Sequence, residues 1–97
     1  MPDTIGPNSV ITRSTSVIDS DIDGETVMMS LQAGQYFGLE GIGQRIWHLL
    51  ESENRLQDIC QRLVQEYDVT AAQCEHDVRA FLTELLEQDI VAVREPV

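Results

Sequence analysis

The sequence predicts an α+β fold in which a three-stranded antiparallel sheet is followed by three helices, with the outline of a winged helix-turn-helix. The apolar residues alternate with a period of two over the first forty residues, and their spacing changes to about 3.6 after Gly41. A length of 97 residues leaves room for one domain only. Three short helices can cover their own apolar faces and one face of a sheet only by packing together on it.

The first forty residues carry the strand signals. Residues 1–9 contain two prolines and a glycine without periodicity, so they predict a flexible N-terminal tail in front of a domain that spans 10–94. Beyond the tail, Val, Ile and Thr are abundant and turn residues separate the runs. The predicted strands are 10–18, 26–31 and 35–39, joined by turns at 19–24 and at Ala33-Gly34.

Three amphipathic helices and a short final strand complete the prediction. Asn54 with Gln57, and Thr70 with Gln73, have the spacing of capping boxes and mark the starts of the second and third helices. The three apolar stripes are Ile42, Ile46, Leu49 and Leu50 with Trp47 beside them, then Leu56, Ile59, Cys60, Leu63, Val64 and Tyr67, then Cys74, Val78, Phe81, Leu82 and Leu85. The last strand is predicted at Ile90–Val93.

The charge balance argues against nucleic acid as a partner. Seventeen acidic residues stand against six basic ones, all arginine, for a net charge of -11. Affinity for a phosphate backbone depends on cationic groups, whereas an acidic surface suits a neutral or basic peptide. No stretch approaches the roughly 20 apolar residues needed to cross a bilayer, so we expect no membrane association and a cytoplasmic location.

The residues do not indicate an enzyme, a metal site or a cofactor. The run from Asp19 to Gly24 matches the first half of a calcium-binding loop, but the twelfth position is Ser30, where a bidentate Glu is required. The only other candidates for ligands or nucleophiles are His48, Cys60, Cys74 and His76, and their spacing fits neither a zinc site nor a cysteine-histidine pair. We expect both cysteines to be buried free thiols.

Four sequence motifs occur in the order Tyr36-Phe37-Gly38-Leu39, Ile46-Trp47-x-Leu49-Leu50, Asp58-Ile59-x-x-x-Leu63-x-x-Glu66-Tyr67-Asp68-Val69 and Asp77-Val78-x-x-Phe81-Leu82-x-x-Leu85. Together they resemble the PqqD-like family, the leader-peptide recognition domains of ribosomally synthesised natural products. The resemblance covers about residues 10–93 and is strongest for the free-standing leader-binding proteins of lasso-peptide biosynthesis. Many relatives carry Asn where this chain has Glu40.

The resemblance implies that a precursor's leader peptide adds a strand to the third strand, in the groove between that strand and the third helix. Such a domain would deliver the precursor to a separate cysteine-type leader peptidase and to an asparagine-synthetase-like cyclase. Val78 and Leu82 have helical spacing that also fits the core, and the sequence leaves open whether Tyr36 or Phe37 faces the groove. The expected contact residues are Gln35, Tyr36, Phe37, Gly38, Leu39, Glu75, Asp77, Val78 and Leu82.

Two alternative functions stay open at this point. One keeps the fold but assigns it to a PqqD-type peptide chaperone for a radical SAM enzyme, as in quinone-cofactor biosynthesis. The other is a winged-helix DNA-binding regulator, which needs a basic recognition helix. The third helix is acidic instead, with Arg79 as its only basic residue.

Overall fold

The computed structural model describes residues 5–6, 8–52 and 55–94 of the chain. Strands come first along the chain, three helices follow, and a short strand closes the order. The elements are β1 (Val10–Arg13), β2 (Val17–Ile22), β3 (Glu25–Ser30), β4 (Gln35–Leu39), α1 (Gly41–Leu49), α2 (Leu56–Glu66), α3 (Ala71–Glu87) and β5 (Val91–Arg94).

The predicted α+β class and the three-stranded antiparallel sheet are confirmed. The strands lie in the order β2-β3-β4, and each neighbouring pair is antiparallel. Asp23 and Gly24 both have positive φ, at 52° and 81°. That combination is the type I′ turn, whose twist matches a two-residue hairpin between β2 and β3. The predicted third strand, 35–39, coincides with β4.

The prediction of one strand over 10–18 is wrong. The chain turns at Ser14–Ser16, where the Ser14 and Ser16 hydroxyls lie 2.9 Å apart and the Ser14 hydroxyl accepts from the Ser16 amide. Serine side chains that bond nearby backbone compete with a ladder in this way. β1 therefore leaves the meander and pairs with β5 in a separate two-stranded sheet. The predicted final strand is confirmed as β5, one residue further along the chain.

The predicted turn over 19–24 is also wrong, because only Asp23 and Gly24 lie outside the strands. Asp19 and Asp21 are residue types that strands disfavour, which is why the sequence indicated a turn. In the structure each carboxylate has a partner. Asp19 accepts a hydrogen bond from the Trp47 indole at 2.9 Å, and Asp21 accepts one from the Thr26 hydroxyl at 2.6 Å. Tertiary contacts therefore override the local preference.

The three helices pack their predicted stripes into one core, with exceptions at the stripe margins. Ile42, Val64 and Tyr67 are exposed, so those three positions were assigned to the core wrongly. Thr70 caps α3 as predicted, accepting from the Gln73 amide at 3.2 Å. Asn54 lies outside the described residues, and α2 has Arg55 at its N-cap without a side-chain bond. The core residues of the helices are Ile46, Trp47, Leu49, Leu56, Ile59, Cys60, Leu63, Cys74, Val78, Leu82 and Leu85.

An ion pair joins α1 to α2 at the surface. The Arg45 guanidinium donates two hydrogen bonds to the Glu66 carboxylate, at 2.7 and 2.6 Å. These bonds hold the pKa of Glu66 below its ordinary value. A fork of this kind fixes the angle between two helices more than a single contact does.

The predicted N-terminal tail falls partly on residues outside the described ranges. Of the described ones, Ile5 is buried in the core and the Gly6 amide donates to the Ser9 hydroxyl at 2.9 Å. The hydrophobic core therefore extends in front of the predicted boundary at residue 10. Among the described residues, no helix combines the length and the apolar character required to cross a membrane.

Both cysteines are buried free thiols in the described structure, as expected. Burial, followed by the proximity of Cys74, raises the pKa of Cys60 from its ordinary value of 9.0 to about 12. The folded thiol thus keeps its proton at a pH where the unfolded thiol loses it. The stability that this thiol contributes is complete below pH 9 and declines as pH rises from 9 toward 12.

We expect the native protein at pH 8 to resist a thiol-specific disulfide reagent until it is unfolded, because both thiols are buried and Cys60 in addition keeps its proton, whereas thiolates are the reacting species. The measurement is the release of the coloured thiol from the reagent, with and without denaturant. We also expect a Cys60→Ala variant to lose less unfolding free energy between pH 8.5 and 10.5 than the unchanged protein does. Stoichiometric labelling of the native protein within seconds would contradict this assignment.

Candidate functional site

β4 is an edge strand whose outer side has no strand partner among the described residues. Its sequence, Gln35 to Leu39, contains no charge and no proline. Proteins commonly protect such edges with charges, prolines or a covering element. The opposite edge of the same sheet, β2, carries Asp19 and Asp21. The two edges therefore differ in chemistry, and β4 is the one that is open to pairing.

The hydrogen-bond phase of the sheet determines which backbone groups point outward. The Leu31 amide donates to the Ser16 carbonyl at 2.8 Å. Every second residue of β3, counted back from Leu31, therefore directs its backbone N–H and C=O groups toward β2. The alternate residues, such as Met28, direct theirs toward β4. Met28 is opposite Phe37 in the register, so Phe37 bonds to β3. It follows that Tyr36 and Gly38 present their N–H and C=O groups to the open edge.

The register also decides the orientation of the aromatic pair. Phe37 and Leu39 are opposite the fully buried Met28 and Thr26, and both are packed against the core. Tyr36 belongs to the other face of the sheet and is 70% exposed. Phe37 therefore faces the helices and Tyr36 faces outward, which answers the question that the sequence left open.

A groove of about 540 Å³ runs between β4 and the C-terminal half of α3, and we call it the β4–α3 groove. Phe37 and Leu39 on the strand face Phe81 and Leu85 on the helix, and these four side chains form its apolar floor. Three polar residues of the last helical turns stand at its margin. The complete lining is Tyr36, Phe37, Gly38, Leu39, Phe81, Glu84, Leu85, Glu87 and Gln88.

The four α3 residues expected from the sequence lie away from this lining. Leu82 is fully buried and Val78 is nearly so, which agrees with the interpretation that both are core residues rather than contact residues. Asp77 and Val78 border a smaller cavity of about 190 Å³ between the starts of α1 and α3. Glu75 borders a depression between α2 and α3 and forms an ion pair with Arg79. The strand residues Gln35 to Leu39, by contrast, lie at the edge where the sequence placed them.

The sequence missed the helix residues that do line the groove. Phe81, Glu84, Leu85 and Gln88 recur at i, i+3, i+4 and i+7, so they form one stripe of α3. The sequence assigns Phe81 and Leu85 to the core stripe. In the structure that stripe packs against the other helices and also lines the groove. The width of the apolar stripe on α3 was the signal for this double role. A stripe that contacts both the other helices and β4 must be wider than a stripe that contacts a single helix.

Phe81 connects the groove to the smaller cavity. Its side chain borders both, and an added Cβ at Gly43 would lie 3.5 Å from the Phe81 ring and 3.7 Å from Leu39. The start of α1 thus approaches the ring closely where Gly43 leaves the ring uncovered. Phe81 therefore separates the β4–α3 groove from a second, mainly apolar cavity.

A polar cluster lies at the junction of α1 with the sheet. The Thr26 hydroxyl donates to Asp21, accepts from the Gln44 amide at 3.0 Å, and lies 3.5 Å from the His48 ring. The bond from Thr26, with His48 nearby, holds the pKa of Asp21 below its ordinary value. Thr26 is fully buried within β3, so its hydroxyl is not accessible to a substrate carbonyl. The geometry supports a structural role for the cluster rather than nucleophilic chemistry.

Metal-ligating residues do not gather in the described part of the chain, where no group of three His, Cys, Asp or Glu side chains could hold an ion. The carboxylates of the half-matching calcium loop illustrate the reason. Asp19 is engaged by Trp47 and Arg13, and Asp21 by Thr26.

Comparison with known proteins places this fold among peptide-binding relatives. One solved structure, TbiB1 in complex with the TbiA(β) leader peptide, is 39% identical and has a TM-score of 0.78, with 82% of this chain and 93% of that chain covered. A second, a lasso peptide synthetase B1 complexed with the leader peptide, has a TM-score of 0.76 at 23% identity and covers 84% and 95% of the two chains. The second likeness shows the shared fold.

A search of curated protein sequences found no match. The family model described as coenzyme PQQ synthesis protein D (PqqD) matches residues 25–91. That interval contains β3, β4 and all three helices, and hence both sides of the β4–α3 groove. The chain therefore belongs to the PqqD family.

Proposed function

We propose that this protein is a non-catalytic recognition domain that binds the leader segment of a ribosomally made precursor peptide by strand addition to β4. The observation that carries the proposal is the uncharged open edge of β4 directly beside an apolar groove. Backbone hydrogen bonds along such an edge provide affinity, and alternate side chains that enter pockets provide selectivity. The contact residues are proposed to be Gln35 to Leu39 together with the groove side of α3.

The geometry indicates how a peptide would be held. Its backbone would pair with the N–H and C=O groups of Tyr36 and Gly38. Every second side chain would then enter the groove between Phe37 and Phe81, since side chains alternate between the two faces of a strand. Burying an aliphatic or aromatic side chain there contributes about 1.5–3 kcal/mol.

The relatives support a place for this domain in lasso-peptide maturation. TbiB1, 39% identical to this chain, binds the TbiA(β) leader peptide. We propose that this chain likewise acts in the cytoplasm and delivers its precursor to a separate cysteine-type leader peptidase and an asparagine-synthetase-like cyclase. Neither the polar cluster at Thr26 nor the buried thiols offer an accessible nucleophile, which supports a partner without chemistry of its own.

A second candidate is favoured by the description of the matching family, which concerns coenzyme PQQ synthesis. In that alternative the same groove would present a peptide to a radical SAM enzyme. The two candidates share the binding step and differ in the enzyme that follows. Co-purification of the tagged protein with either a leader peptidase or a radical SAM enzyme from the producing cells decides between them.

The proposal predicts sequence-dependent binding. We expect a synthetic TbiA(β) leader peptide to bind the protein saturably, and a scrambled peptide of equal composition to bind at least about tenfold more weakly, because strand pairing with pockets reads residue order. Titration calorimetry on the full chain measures both. Equal binding of the two peptides would refute the pocket model. Absence of binding both to this leader and to every member of a random peptide library would refute leader binding itself.

A further inference from the structure

We propose that two carboxylates at the margin of the β4–α3 groove, Glu84 and Glu87, select peptides that carry a Lys or Arg beside their apolar anchors. The inference rests on the proposed function and names the chemistry of the peptide that the groove accepts. We call these two residues the acidic rim. The site itself is made by the open edge of β4 and the apolar floor, and the acidic rim sets its preference for charge.

The acidic rim is positioned by the helix that also supplies the floor. Phe81 and Leu85 point into the groove, and Glu84, three residues after Phe81, is its neighbour on the surface of α3. Glu87 follows one turn after Glu84, so the two carboxylates lie along the same side of the helix. Both residues are exposed, and a bound strand on β4 would run alongside them.

The described lining of the groove contains no basic residue that would neutralise these carboxylates. Within the described ranges, neither Glu84 nor Glu87 has a basic group within salt-bridge distance. The basic residue of α3, Arg79, is paired with Glu75 instead. The chain as a whole carries a net charge of -11, so an acidic peptide is repelled over the approach and a basic one is attracted.

The floor determines where the basic residue must lie in the peptide. Residues two apart in a strand share a face and are separated by roughly 6.6–6.8 Å, so anchors at i and i+2 enter the groove together. A Lys or Arg two positions before or after these anchors lies on the same face of the strand, so its long side chain reaches the acidic rim while its aliphatic part covers Phe81 or Leu85. The expected ligand is an extended segment with two apolar side chains two positions apart and a Lys or Arg at the next position on the same face.

Selection from a random 12-residue peptide library displayed against the full chain tests this inference and does not require the sequence of the precursor. We expect the selected peptides to be enriched in Lys and Arg. The same selection on a Glu84→Lys/Glu87→Lys double variant is expected to enrich Asp and Glu instead. A peptide selected on the unchanged protein should bind this variant about tenfold or more weakly, mostly through slower association, as is typical of rim charges.

The matched control is Glu51→Lys/Asp68→Lys, which changes the net charge equally at exposed positions outside the groove. It should retain the preference for basic peptides. Replacing the selected cation with Glu in the peptide should restore binding to the Glu84→Lys/Glu87→Lys variant. If peptides bind in a manner that requires the β4 edge but show no basic enrichment, the acidic-rim assignment is overturned while leader binding stands. If the library yields no binder at all, both proposals are overturned.

Discussion

A Gly38→Pro variant is expected to lose peptide binding while it remains folded. The Gly38 N–H points toward the open edge rather than toward β3, so the proline removes a donor that a visiting strand needs and spares the ladder within the sheet. An unpaired acceptor in the bound peptide costs about 1–3 kcal/mol, and the ring crowds the approaching backbone as well. We expect affinity for a bound leader peptide to fall by at least about thirtyfold.

Gly38→Ala is the matched control. Alanine and proline place a Cβ at the same point, 3.1 Å from Oε2 of Glu25, and the flexible Glu25 side chain can move away. Only the proline lacks the N–H. Fluorescence anisotropy with a labelled peptide compares the two variants, and circular dichroism verifies that both are folded. Unchanged affinity in a folded Gly38→Pro protein would show that the peptide does not pair with β4.

Trp47→Ala is expected to have the largest effect on stability, about 3–5 kcal/mol, the range for deleting a large aromatic from a core. The indole is almost fully buried, its N–H donates to Asp19, and the Arg13 guanidinium lies 4.2 Å from the ring centroid. Arg13 also donates to the Trp47 carbonyl. Since small domains have about 5–15 kcal/mol in total, the variant would be close to unfolding.

The contacts of Trp47 explain why the loss exceeds that of an aliphatic residue. Arg13 belongs to β1 and Asp19 to β2, so one side chain joins α1 to both sheets. Trp47→Phe keeps a buried ring but leaves the Asp19 carboxylate without the indole N–H, and it should cost less than Trp47→Ala. The unfolding free energies of both variants are measured by urea titration. Unfolding is followed by circular dichroism rather than by tryptophan fluorescence, because both variants lack the only tryptophan. A loss below about 1 kcal/mol for Trp47→Ala would contradict this role.

Much of the fold could be predicted from periodicity. The stripes of α2 and α3 report directly on which helix side chains are buried, apart from residues such as Val64 and Tyr67. The alternation in β3 predicted a strand but did not say which of its faces is buried. The separation of β1 from β2 could not be predicted in the same way. Both halves have strand-forming residues, and the break depends on a local serine turn and on pairing with β5, which lies at the other end of the sequence.

The candidate site shows the same division. The family resemblance pointed to the third predicted strand as the one that pairs with a peptide, and the sheet order leaves that strand, β4, at an edge. The helix side required three-dimensional information, because apolar spacing cannot tell whether Phe81 meets another helix or a strand. Glu75 and Asp77 carry the expected charge, but they lie about one to two turns before the part of α3 that faces β4.

The exposed side of the sheet puts the protein at risk of self-association while no peptide is bound. Two molecules can pair through this exposed strand and nucleate an ordered aggregate, since the strand itself has no charge or proline that prevents pairing. Mutual repulsion between strongly anionic molecules is the safeguard available to this chain, and it weakens when salt is raised or the carboxylates are protonated. The surplus of acidic residues thus keeps the molecules apart in solution and leaves the exposed strand free to bind a peptide.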